Sequence, residues 1–134
     1  SATANWFRNS TLVDYLRAID SQHTLLISDA CFAGSIFKSR AVSMPEEMIF
    51  DKIYELPSRK AMTSGTLTVV PDESAFIKYL IERLDENNGT YLSSEDLFRS
   101  MKDAVIYNSS VLPRYGEIQN VGNEGGDFIF LKRQ

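Results

Sequence analysis

The passage that most restricts this chain is His23-Thr24-Leu25-Leu26-Ile27-Ser28-Asp29-Ala30-Cys31-Phe32-Ala33-Gly34-Ser35. Its apolar residues 25–27 predict a short buried strand. The strand stops at a run of small and polar residues, and in that run stands Cys31, the only cysteine of the sequence. A continuous apolar strand ending in a small-residue loop is how an open parallel α/β sheet presents reactive groups at its carboxyl edge.

The rest of the chain reads around that strand. Trp6 and Phe7 belong to an extended lead-in that packs onto the body. Asn9 or Ser10 opens a helix running to about Ile19, with Leu12, Leu16 and Ile19 on one face. A short helix or loop follows Gly34, residues 38–47 are polar and mixed, and Met48, Ile49, Ile53, Tyr54 and Leu56 suggest an amphipathic turn before Pro57. Residues 60–64 predict a second strand, and Asp72 to Ser74 a helix start. Phe76, Ile77, Leu80, Ile81 and Leu84 form the stripe of that helix, which stops at Asn87-Asn88-Gly89. Ser93 followed by Asp96 approximates a capping box ahead of a helix whose core face is Leu97, Phe98, Met101 and Val105. Residues 108–123 read as a long loop whose glycines, with Gly125 and Gly126, position a last strand over residues 127–131. The layout is α/β with three strands, few for a self-sufficient sheet.

The composition narrows the function. The 134 residues make one domain or part of one. A formal charge of −4 and the lack of a basic stripe argue against nucleic acid as a partner. No apolar run is long enough to span a membrane, and Ser-Ala-Thr-Ala-Asn does not read as a leader peptide. A single cysteine excludes an internal disulfide and a cysteine-built zinc site. It suits a reducing, cytoplasmic setting and a working thiol.

Asp29-Ala30-Cys31-x-x-Gly34 resembles the nucleophile motif of the caspase-like cysteine peptidases. Asp at position 29 is similar to the metacaspases and the bacterial peptidase C14 domains rather than to the caspases themselves, which carry Gln there. The resemblance continues in order through Ser58-Arg59-Lys60-Ala61-Met62-Thr63-Ser64-Gly65, the helix over residues 74–84, Pro113-Arg114-Tyr115-Gly116 and Gly125-Gly126-Asp127-Phe128-Ile129-Phe130. It covers most of residues 9–132. It implies a caspase-like sandwich in which residues 1–134 form the C-terminal, nucleophile-bearing part and supply about three central strands with flanking helices. The catalytic His of such a domain lies upstream, about 50 residues before the Cys in caspases. Only 30 residues precede Cys31 here, so the resemblance places that His in a separate or cleaved N-terminal part of the same domain. That part is the expected partner, and a peptide or protein is the expected substrate. The sole histidine, His23, stands at the start of the strand whose far end delivers Cys31, and about eight strand residues separate the two by roughly 25 Å. It is not the base.

The chemistry implied is attack of a Cys31 thiolate on a peptide carbonyl, with the upstream His protonating the leaving amine and then activating water. Backbone N–H groups hold the oxyanion, one of them plausibly that of Cys31. Ala30, Ala33 and Gly34 let a substrate backbone approach closely. By resemblance Asp29 lies in the S1 pocket and pairs with a P1 Arg or Lys; the lesser alternative is that it merely caps the next turn. Asp72 or Glu73 adds a second carboxylate to the pocket, or Asp72 caps the helix that follows. Thr63 and Ser64 offer backbone pairing to an extended substrate. Arg40, Arg59 and Lys60 are candidate processing sites. Some metacaspases require calcium, but the acidic residues show no EF-hand-like spacing, so neither metal nor other cofactor is expected. Two other readings compete: a catalytically inactive caspase-like interaction module, and an unrelated α/β domain such as a receiver or nucleotide binder. The latter lacks a phosphate-cradling glycine loop after the first strand. Three strands with exposed edges also predict that the chain is not stable alone.

Overall fold

The computed structural model describes residues 8–32, 36–38, 50–66, 74–89 and 91–132. Trp6, Phe7, Ala33, Gly34, Arg40, Met48, Ile49, Asp72 and Glu73 lie outside the described residues. In order, the elements are α1 (Asn9–Ala18), β1 (His23–Ser28), α2 (Phe50–Glu55), β2 (Ser58–Thr63), α3 (Ala75–Asp85), β3 (Tyr91–Ser93), α4 (Ser94–Tyr107), β4 (Arg114–Glu117) and β5 (Ile129–Leu131). The fold is mixed α/β, with a sheet of order β1-β2-β4 and a separate β3-β5 pair.

β1 and β2 run parallel, in register from His23 opposite Ser58 to Ser28 opposite Thr63. β4 lies antiparallel on the other side of β2, with Thr63 opposite Arg114 and Lys60 opposite Glu117. Side chains alternate across the central strand. Ala61 faces a core of Val13, Leu16, Ile36, Phe37, Ile118 and Val121, while Met62 faces Phe76, Leu80, Leu97, Phe98, Met101 and Val105. The sheet is therefore the middle layer, with α1 on one face and α3 and α4 on the other.

The main difference from the sequence reading is the third strand. The expected loop over residues 108–123 contains β4, and the terminal strand pairs with β3 instead of joining the main sheet. Gly116 disguised β4, because glycine weakens a strand pattern. It is used for close approach: a Cβ there would lie 3.1 Å from Cδ1 of Phe37. The neighbouring Tyr115 points to the other face and stacks on Phe98 at 5.4 Å between ring centres. Residues 36–38 cross the outer edge of β4, with the Lys38 amide donating to Glu117 O (2.8 Å) and the Gln119 amide to Ile36 O (2.9 Å).

The burial of the two parallel strands is also inverted. All six residues of β1 are only half-buried, whereas all six of β2 are buried despite Arg59 and Lys60. β2 lies between two strands; β1, the more apolar of the pair, is an edge strand among the described residues.

The helices follow their caps. Ser74 Oγ accepts from the Ile77 amide (3.3 Å) and Ser93 Oγ from the Asp96 amide (3.1 Å), as an N-cap requires. The cap of α3 is thus Ser74. Glu95 and Asp96 occupy the first turn of α4, where the helix dipole favours them. Leu97, Phe98, Met101 and Val105 are buried as expected. Two stripe residues are not. Ile19 is 44% exposed because the backbone turns extended there and leaves the helix, and Val13 takes its place in the core. Ile81 is 61% exposed because Phe76 and Leu80, four residues apart, define the buried line of α3.

A buried carboxylate locks the C-terminal segment to this frame. Asp127 accepts from Ser94 Oγ, from the Glu95 amide (3.2 Å), from its neighbour Phe128's amide (2.7 Å) and from Tyr115 Oη (3.1 Å). Burial, and the Asp127 charge beside it, push the Tyr115 phenol far above its ordinary value. No helix among the described residues is long and apolar enough to cross a membrane.

Candidate active site

The carboxyl ends of β1 and β2 are stitched together beyond the strands themselves. The Ser64 amide donates to Ser28 O (3.0 Å) and the Gly65 amide to Ala30 O (3.0 Å). This holds the loop carrying Asp29, Ala30 and Cys31 against the loop that follows β2. Gly65 makes the second contact possible. Its φ is +79°, and a Cβ there would lie 2.4 Å from Leu112 O, so the position admits no side chain without backbone movement.

Cys31 is three residues past the end of β1, exposed, and a free thiol. Asp29 and Ala30 beside it are half-buried. Asp29 Oδ1 accepts from Thr66 Oγ1 at 3.3 Å, a long bond that leaves most of the carboxylate's acceptor capacity unused by any described hydrogen bond. Thr66 Oγ1 in turn accepts from Ser64 Oγ (2.8 Å), and the Thr66 amide donates to Ser64 Oγ (3.2 Å). Among the described residues, Asp29 is thus oriented by a hydroxyl relay rather than neutralised by a cation. An oriented, partly open carboxylate two residues from an exposed thiol is equipped to hold a basic side chain.

Thr63 and Ser64 stand directly behind this site. Their side chains are buried, and the Ser64 amide is already committed to Ser28. Asp72 falls outside the described residues. Arg59 and Lys60, candidate processing sites by sequence, lie in the buried central strand and are inaccessible to a peptidase in the folded chain. The Arg59 guanidinium donates to Ser58 O (2.7 Å), Gln22 O (2.9 Å) and Ser21 O.

His23 starts β1, at the opposite end of the sheet from Cys31, as the sequence spacing requires. Its Nε2 donates to Tyr54 O (2.7 Å), which fixes the proton there, so in the neutral ring Nδ1 accepts from Ser58 Oγ (2.7 Å). The ring lies 4.5 Å from that of Tyr54. With Gln22 Nε2 on Tyr54 O (2.7 Å) and Glu55 O (3.0 Å), it ties the end of α2 to the start of β1.

Sequence reasoning missed three contributors. Thr66 orients Asp29, Gly65 permits the loop contact, and Arg114 enters the site's edge because β4 does. Only Gly65 left a signal, as a lone glycine directly after a strand pattern. Among the described residues no group of three His, Cys, Asp or Glu side chains is placed to hold a metal ion. Comparison of the chain with protein-family models, curated proteins and solved structures returns no match.

Proposed function

We propose that Cys31 is the nucleophile of a caspase-like cysteine endopeptidase that cuts after Arg or Lys, with its general base supplied by an upstream His-bearing part of the domain. The observation that carries this reading is the exposed thiol at the carboxyl edge of a parallel strand pair, two residues from the Thr66-oriented carboxylate of Asp29. Asp29 would take the P1 guanidinium or ammonium in the S1 pocket, while Ala30 keeps the approach open. Thr63 and Ser64 would form the wall behind the pocket and hold both loops in place. The parallel pairing of β1 and β2 also supports it, because the resemblance makes the strand that ends at the nucleophile and the strand over residues 58–63 neighbouring central strands. So does the half-buried state of β1. Leu25, Leu26 and Ile27 have the composition of a central strand and the burial of an edge, as expected if further strands of the same domain pair there.

A second reading is a caspase-like interaction module without turnover. It is favoured by one observation: the only histidine is engaged at the far end of the sheet. One assay separates the two. The full-length protein is given fluorogenic peptides ending in Arg, Lys or Asp. Iodoacetamide-sensitive release from Arg and Lys peptides, abolished in Cys31→Ala, is expected; a folded full-length protein with no turnover selects the module.

A further inference from the structure

The edge that carries Cys31 and Asp29 extends across the sheet to the start of β4. There Arg114 stands level with Thr63, and Thr63 level with Ser28. Two strand spacings place the Arg114 backbone roughly 10 Å from the end of β1. Its guanidinium lies 4.8 Å from the centre of the Phe37 ring, and Phe37 packs closely on β4 at residue 116, where a Cβ would lie 3.1 Å from its Cδ1. Gly116, Phe37 and Arg114 are thus a stacked platform that presents a cation at a set place. Arg114 is exposed, and among the described residues no carboxylate lies within salt-bridge distance of it.

On the other face of the same strand start, Lys102 adds a second cation. A shallow cleft of about 310 Å³ opens there, lined by Phe98, Lys102, Leu112, Pro113, Arg114 and Tyr115. Its lining holds two cations and no carboxylate. In a chain of net charge −4, two cations with no carboxylate partner among the described residues are a local feature with a definite polarity.

Resting on the peptide-binding reading above, we infer that Arg114 is a specificity residue which takes an acidic side chain of the substrate, two to four residues from the basic residue held by Asp29. The spacing follows from geometry. An extended peptide advances about 3.3 Å per residue, so the roughly 10 Å between the strand ends that carry Asp29 and Arg114 corresponds to about three residues, with the reach of the two side chains widening this to two to four. A guanidinium offers a carboxylate two parallel hydrogen bonds, which gives this contact directional as well as electrostatic selectivity. The preferred substrate is therefore a peptide carrying opposite charges at a fixed separation.

The test uses the full-length protein as Cys31→Ala, so that binding is read without turnover. Fluorescent decapeptides carry one central Arg and a single Glu moved through every other position. Binding about tenfold tighter with Glu in one window two to four residues from the Arg is expected, the value of one charge-assisted contact. Arg114→Glu should remove that advantage and transfer it to peptides with Lys in the same window. A profile that is flat with Glu position, or one unchanged in Arg114→Glu, overturns the inference. Cleavage of the Arg-only peptide by wild type is scored separately. Cleavage with a flat Glu profile sinks the inference and leaves the peptidase reading standing; a Glu window without cleavage does the reverse.

Discussion

At the amino ends of β1 and β2, both His23 nitrogens are bonded, Gln22 spans two helix carbonyls and the Arg59 guanidinium holds three more. At the carboxyl ends, Cys31 is exposed and, among the described residues, Asp29 has one long hydroxyl contact and Arg114 meets an aromatic face rather than a carboxylate. The same two strands thus close most of their polar groups at one end, where Arg59 Nε and Asn123 Nδ2 stay buried without a described partner, and hold them open at the other. A buried polar group without a partner costs stability, so the closed end is where the fold is secured. The open end is held by backbone contacts that leave its side chains available, which is the division expected of a scaffold carrying a site.

Substitutions should separate the ends. The largest effect belongs to the closed end: Arg59→Met takes the guanidinium donor from the carbonyls of Ser21 and Ser58, while Gln22 O keeps the Ser58 amide, and should destabilise by about 3 kcal/mol, read from urea unfolding. At the open end, Gly65→Ala should cost about 2 kcal/mol, because a left-handed residue gains a side chain against Leu112 O. Equal loss from both would mean that the two ends secure the fold alike and would remove the contrast between them. Between the ends, Tyr115 makes stability depend on alkaline pH. Its folded value is raised, so the stabilisation is complete below the unfolded phenol's value of about 10 and declines as pH rises above it, by up to about 1.4 kcal/mol per pH unit. Tyr115→Phe should remove that alkaline slope in thermal melts. The smallest effect on stability is Cys31→Ala, an exposed substitution expected within about 0.5 kcal/mol of wild type. A loss of several times that would place the thiol in the core and end the contrast between the two regions.

Much of this frame was legible in the residues. Ser93 and Ser74 announced their helices, Leu97 to Val105 their core face, and the apolar run before Asp29 its strand, because caps and periodicity are local properties. Burial rank was not. Leu25, Leu26 and Ile27 read as central while Arg59 and Lys60 read as exposed, and strand order, which is non-local, decides the opposite. β4 was hidden for a related reason. Its Gly116 breaks the pattern of a strand, and the close neighbour of that glycine is Phe37, some eighty residues away in sequence. The site shows the same limit. Cys31 and Asp29 were visible because they share one loop, whereas Thr66 and Arg114 join them only through the pairing of β2.

The central claim is that the Cys31 thiol is a peptide-directed nucleophile and not an incidental surface cysteine. Its most direct test is the rate at which the full-length protein is alkylated by a peptidyl chloromethyl ketone ending in Arg, with the adduct located by mass spectrometry. A single adduct on Cys31, formed far faster than on free glutathione and slowed by Asp29→Ala, is the predicted result. Labelling no faster than glutathione, or peptide cleavage that persists in Cys31→Ala, would contradict it.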